Sequence, residues 1–293
     1  KNHLLRVHYQ DFMIFFTFLL FWVSIQFGQI IEDSIAYAIV LSIGIIHGSN
    51  DFTILKKQQT NTKSFLKSTG FYLFLIIMCI VSYVAIPFAS FIFFILLSSY
   101  HFGEQHLEGK VLGSKLLKSI LYIAYGMLIF SLIFIENLSD VDVIMQNLTG
   151  YIIPNEWINI MFIISLSLLV VLFAFLFTRK IKPQIHIVRE LFYILLLFLV
   201  FKTSSLILGF AIYFVLWHSI PSILDQAKFL SGDYSFKTIL EYLKTAFVYW
   251  LISILGLVIA YYFLDESLFN SIIFIVLFAV TAPHVWVMNR MKQ

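Results

Sequence analysis

Apolar residues recur in long runs along this chain, and about 20 in succession is what a helix needs to cross a bilayer. Ten runs predict ten spanning helices, centred on Phe12–Gly28, Ser34–His47, Gly70–Ile86, Pro87–His101, Leu116–Ile135, Trp157–Thr178, Val188–Phe201, Leu206–Leu224, Tyr242–Leu264 and Leu268–Met288. The second and seventh are short and read as tilted or partly buried. The third and fourth run together, and Pro87 alone marks the cut between them. The longest polar stretches, Asp51–Thr69 and Asn137–Glu156, each leave room for a short interfacial helix. The first run has the length of a signal peptide, but no small-residue cleavage site follows it, so it reads as a retained helix.

The loops support this count. With the N-terminus cytoplasmic and ten crossings, Lys1, Arg6, Lys56, Lys57, Lys63, Lys67, Lys110, Lys115, Lys118, Arg179, Lys180, Lys182, Arg189, Lys228, Lys237, Lys244, Arg290 and Lys292 all fall inside. Only Lys202 falls outside, whereas Glu32, Asp33, Glu136, Asp140, Asp142, Glu156, Asp265 and Glu266 lie on that face. The positive-inside rule favours this distribution of Lys and Arg, and a wrong count would scramble it. Composition agrees: 61% of residues are hydrophobic, 12% are charged, and the mean hydropathy is +0.95. The expected fold is therefore an all-α polytopic bundle in one transmembrane domain over residues 1–293, with both termini cytoplasmic. A net charge of +3 gives no reason to expect a nucleic-acid partner. The single cysteine, Cys79, can form no disulfide within the chain.

Candidate chemistry lies with the histidines. His3, His8 and His186 sit in polar segments and read as solvated surface. His47, His101, His218 and His284 instead lie near the cytoplasmic ends of the second, fourth, eighth and tenth runs. Those helices run in the same direction, so four imidazoles reach a similar depth. Ionisable groups in a membrane are costly and usually functional. Three of the four have acidic companions: Asp51 at i+4 from His47, Glu104 at i+3 from His101, and Asp225 at i+7 from His218. Those spacings keep both groups on one helical face, if the helix continues that far. A carboxylate behind a ligating imidazole fixes its tautomer and strengthens the metal bond. His284 has only Pro283 beside it, and His106, turned away from His101, is a reserve ligand.

Imidazole ligation without thiolate suits iron, zinc, copper or nickel. Neither a His-Glu-x-x-His pair nor a His-x-x-His-His cluster occurs, so a mononuclear site spread over four helices fits best. Tyr100, Phe102, Trp217 and Trp286, beside the histidines, are candidates to line an apolar tunnel open to the bilayer. A transporter is the rival reading, but it calls for polar residues at several depths and helices broken at midplane. Here the polar groups gather near one face. Another metal-dependent enzyme acting on a lipid-soluble substrate would present the same metal site.

The histidine segments resemble the Brp/Blh family of bacterial β-carotene 15,15′-dioxygenases. His47-Gly48 with Asp51, Tyr100-His101-Phe102-Gly103-Glu104, Trp217-His218-Ser219 and Pro283-His284 match its segments in order and approximate spacing. The resemblance implies a multi-pass protein of the bacterial inner membrane that uses Fe(2+) and O2 to cleave the central double bond of β-carotene into two molecules of retinal. A retinal-binding rhodopsin is the implied downstream partner. His47, His101 and His218 become iron ligands by position, with Asp51, Glu104 and Asp225 behind them. Some members have a further histidine four residues after that of Trp-His-Ser. That position is Ser222 here, which leaves His284 as the favoured fourth ligand.

Overall fold

Proline has no amide hydrogen to give a helix and crowds the residue before it. In this computed structural model Ile86 lies at φ −143°, ψ 67°, outside the helical region, and the expected cut falls there. The structure describes residues 2–178, 185–264 and 266–292, with side chains described for 9–178, 185–264 and 275–292. Lys1, Arg6, Arg179, Lys180, Lys182, Asp265 and Glu266, counted above among the loop charges, fall outside the described side chains, as do His3 and His8.

Among the described residues there is helix and no strand. The first stretch of chain forms α1 (Asn2–Gln26), α2 (Gln29–Ile39), α3 (Ile45–Ser49) and α4 (Asp51–Gln58), with a π-helical segment, Val40–Gly44, joining α2 to α3. Next come α5 (Thr62–Ala85), α6 (Pro87–Leu107), α7 (Lys115–Glu136), α8 (Leu138–Thr149) and α9 (Asn155–Thr178). The remainder forms α10 (Ile187–Thr203), α11 (Leu206–Ile212), α12 (Ile220–Ser231), α13 (Phe236–Phe263) and α14 (Glu266–Met291). A second π-helical segment, Tyr213–Ser219, joins α11 to α12. The short helices α4 and α8 occupy the two long polar stretches.

Seven helical segments among the described residues are long and apolar enough to cross a membrane: Tyr9–Gln26, Gln29–Gln58, Thr62–Ala85, Lys115–Glu136, Asn155–Thr178, Leu206–Ser231 and Phe236–Phe263. Three expected spans fall short of that measure for separate reasons. In α6 the apolar run gives way to Ser98, Ser99, His101, Glu104 and His106; α10 has 17 residues and carries Arg189, Glu190 and Lys202; and α14 has described side chains only from Ile275 onward. Large apolar side chains stand exposed along the helices, Val84 at 73% and Phe263 at 84% among them. Exposure on that scale marks a surface made for lipid. The protein is a helical membrane protein.

Two compact units make up the chain. Lys1–Phe16, Tyr37–Phe91 and Phe214–Gln293 form one; Thr17–Ala36 and Ile92–Tyr213 form the other. In the first unit, Ile54 and Leu55 of α4, Tyr72 of α5, and Val287 and Met288 of α14 pack into one apolar cluster. A second cluster joins Ile223 and Ala227 of α12 to Tyr242 and Ala246 of α13. In the second unit α7 is the central helix, with Leu121, Leu128, Ile129 and Ile133 buried. Glu32 and Asp33 of α2 accept from the backbone amide of Ser205 at 2.6 Å and from its hydroxyl at 2.7 Å, and Ser205 in turn caps α11.

Within this unit α6 and α7 meet backbone to backbone at two glycines. A Cβ on Gly103 would lie 1.9 Å from the Tyr122 carbonyl oxygen, and one on Gly126 2.1 Å from that of Ser99. Small residues allow such an approach between membrane helices, where packing supplies most of the attraction. Gly103→Ala must push the two helices apart, at a cost of about 1–3 kcal/mol or more. The expected result is a lower thermal midpoint in detergent, while Gly70→Ala, with nothing within 4 Å, stays at the wild-type value.

Candidate metal centre

Three of the four singled-out histidines come together inside the first unit. The His47 ring lies 4.9 Å from that of His218 and 4.4 Å from that of His284, centroid to centroid. One ring nitrogen of His47 and one of His284 lie within 4.8 Å of each other. All three side chains are buried. They arrive on α3, on the second π-helical segment and on α14.

Local backbone explains how these side chains are aimed. π-Helical turns interrupt α-helices most often at functional sites, because the wider turn redirects the residues around it. One such segment ends three residues before His47, and the other contains Trp217 and His218. Widened turns leave carbonyls that need other donors. Ser219 Oγ donates to the Phe214 carbonyl at 2.7 Å, and the Tyr9 hydroxyl donates to that of Leu216. Phe214 stacks on His218 at 5.9 Å and meets His47 edge-on at 6.2 Å. Gly44 makes room for it, since a Cβ there would lie 2.9 Å from the Phe214 ring.

The carboxylate that reaches the cluster comes from Asp51, and its histidine differs from the one the sequence suggests. Spacing pairs Asp51 with His47, but α3 ends at Ser49 and Asn50 turns to φ −97°, ψ 11°, so the i+4 relation is lost. Asp51 Oδ1 instead pairs with Nδ1 of His284 at 2.8 Å, and the Tyr72 hydroxyl donates to Oδ2 at 2.9 Å. His284, which has no acidic companion in sequence, thus gains one from α4.

Behind His47 stands Gln226. Its amide donates to the His47 carbonyl at 3.1 Å and to Ser222 Oγ at 3.1 Å, while its carbonyl oxygen accepts from Tyr242 at 2.9 Å. Ser222 therefore belongs to a buried polar network beside the cluster. Asn50 closes it by donating to the Tyr242 carbonyl at 3.0 Å. Gln226, Tyr242 and Tyr72 carry no spacing signal toward the histidines, and sequence reasoning passed over all three. Only the polarity of Gln226 one turn beyond Ser222 could have drawn notice.

The other singled-out residues make contacts of their own. Asp225 accepts from the Tyr234 hydroxyl at 3.0 Å. Trp217 is buried, and Trp286 packs against Phe71 with the Arg290 guanidinium over its ring. In the second unit, His101 is buried on α6, Phe102 stacks on Phe130 and meets Tyr213 edge-on, and the Tyr100 hydroxyl donates to Glu104 at 3.4 Å. His106, the reserve ligand, is engaged there too, pairing with Glu190 at 2.6 Å and stacking on Tyr125 at 4.4 Å. His186 is exposed at the start of α10.

The buried imidazoles of His47 and His284, the latter with its tautomer fixed by a carboxylate, are donors that could hold a metal ion. Thiolate-preferring metals find no partner in this set, and a divalent first-row metal fits it. A family model described as Beta-carotene 15,15′-dioxygenase matches residues 38–292, a span that includes all these histidines. No curated protein and no solved structure matches the chain significantly.

Replacing Gln226 by Leu removes the bonds to the Tyr242 hydroxyl, the His47 carbonyl and Ser222 Oγ, while the hydroxyl keeps the Ile46 and His47 carbonyls at 3.2 and 3.3 Å, and each lost bond costs about 0.5–1.5 kcal/mol. The expected outcome is a clearly lower unfolding midpoint for the metal-free protein. A midpoint equal to wild type would show that this network does not hold α3, α12 and α13 together.

Proposed function

The chain belongs to the β-carotene 15,15′-dioxygenase family, and from that premise we propose that it cleaves β-carotene with dioxygen at the central double bond, giving two molecules of retinal. The observation that carries this reading is the meeting of His47, His218 and His284 from three distant stretches of the matched region. Iron(II) is the metal proposed for the site, with His101 of the Tyr-His-Phe-Gly-Glu segment as a further ligand. When bound, iron supplies the dioxygen chemistry that no side chain can perform.

The chain's own residues bind, orient and shield. Asp51 holds a hydrogen on Nδ1 of His284, which leaves Nε2 to face a metal. Phe214 packs against the His47 and His218 rings and keeps water from them. Tyr100, Phe102 and Trp286 are proposed to line the path of the polyene. A hydrocarbon substrate of this kind dissolves in the bilayer and enters sideways, so ten spans with both termini cytoplasmic suit the task. The bacterial inner membrane is the proposed location, with a retinal-binding rhodopsin taking the product.

Cells that make β-carotene and express this chain should lose pigment and gain retinal, read by chromatography. His101→Ala should abolish both the retinal and the bound iron. Retinal at near-wild-type levels from a folded His101→Ala variant would remove His101 from the site. Longer apocarotenals would move the cut, and unchanged β-carotene beside iron-loaded protein would point to a different polyene. Stripping the metal with a chelator should stop cleavage, and restoring iron(II) should recover it.

A further inference from the structure

Asp51 is the carboxylate joined to a histidine of the cluster, and each of its two oxygens takes one donor. Oδ1 faces Nδ1 of His284 at 2.8 Å, and Oδ2 accepts from Tyr72 at 2.9 Å. A carboxylate only accepts, so Nδ1 carries the hydrogen and Nε2 presents its lone pair. Tyr72 reaches Asp51 from a third helix, α5, and its ring is fixed by packing against Phe52 at 4.9 Å and within the cluster of Ile54, Leu55, Val287 and Met288. Tyr72, Asp51 and His284 are all buried, at 4%, 1% and 5% exposure. A carboxylate in such surroundings needs a donor at each oxygen. Without the phenol, the Asp51 side chain would be free to turn about its last bond, and both the plane of the carboxylate and the tautomer of His284 would lose their anchor.

We infer that Tyr72 is a positioning residue for the metal centre: by holding Asp51 in one orientation, it sets His284 with Nε2 as the ligand atom. The inference rests on the proposed metal site and extends it by one shell, to a residue 21 positions from Asp51 and more than 200 from His284 in sequence. Tyr72 bonds to Asp51, and its effect on the metal centre passes entirely through that carboxylate.

The test is cobalt(II) titration of the purified, metal-free protein in detergent, followed by the cobalt absorption bands, beside the thermal midpoint of the same sample. Tyr72→Phe keeps the packed ring and removes one oxygen. Its affinity for cobalt(II) should fall about 10- to 100-fold, as expected for loss of an outer partner of a ligand, with altered bands. In an Asp51→Asn background the same change should cost little more, because interactions that act through one group are not additive. Wild-type affinity in folded Tyr72→Phe would overturn the inference, and so would equal losses in both backgrounds. If Tyr72→Phe does not fold, 3-fluorotyrosine at position 72, which keeps the ring and the hydroxyl but changes the strength of its bond to Asp51, takes its place. Shifted cobalt(II) bands at an unchanged thermal midpoint would then support the inference, and bands identical to wild type would overturn it. A wild-type protein that binds neither cobalt(II) nor iron(II) would instead sink the metal site itself.

Discussion

Lipid offers a backbone amide or carbonyl nothing to bond with, and the rest of this structure follows from that constraint. Every peptide group in the hydrocarbon layer must find its partner inside the protein. The chain answers with helices, and where a helix is disturbed, a side chain supplies the missing bond. Lys57 donates to the Phe229 and Leu230 carbonyls near the end of α12 at 2.8 Å each. Trp250 does the same for the Leu41 carbonyl, within the first π-helical segment, also at 2.8 Å. Polar side chains on apolar helices often bond back to their own backbone, as Ser42 does to Ala38 and Thr281 to Leu277. A polar residue that bonds across to another helix is therefore informative.

Such cross-helix bonds concentrate around the three histidines of the first unit. Asp51, Tyr72, Gln226, Tyr242 and Asn50 link α3, α4, α5, α12, α13 and α14 through side chains that are almost wholly buried. In a low-dielectric interior a satisfied network rigidifies its members, and a broken one is costly. The same bonds that stabilise the unit thus hold the imidazoles in place. Stability and the geometry of the imidazoles are coupled here, because one set of contacts serves both.

Much of the fold could be read from hydropathy. Long apolar runs such as Asn155–Thr178 have only one stable state in a bilayer, and Pro87 marks a helix end by its own chemistry. The histidines were legible as well, since an imidazole at the end of an apolar run is expensive without a purpose. Their wiring was not. The pairing of Asp51 with His284 depends on the turn at Asn50, a single residue that breaks the helical period on which the i+4 argument relied. The roles of Tyr72 and Gln226 depend on which helices become neighbours, and hydropathy carries no record of that. His106, close to His101 in sequence, is drawn to Glu190 by a partner 84 residues away.

The two π-helical segments bear on how related chains should be compared. A π turn holds one residue more than an α turn, and each residue advances the helix face by about 100°. Removing a residue from Val40–Gly44 would swing His47 by that angle while leaving everything before the segment in phase. Insertions and deletions are usually assigned to loops, but in this architecture the place where length and side-chain facing trade against each other is inside the helix, one turn from the histidine. Gaps in a comparison of such chains belong there, and a count of residues between histidines is a poorer guide to kinship than the facing of the histidines themselves.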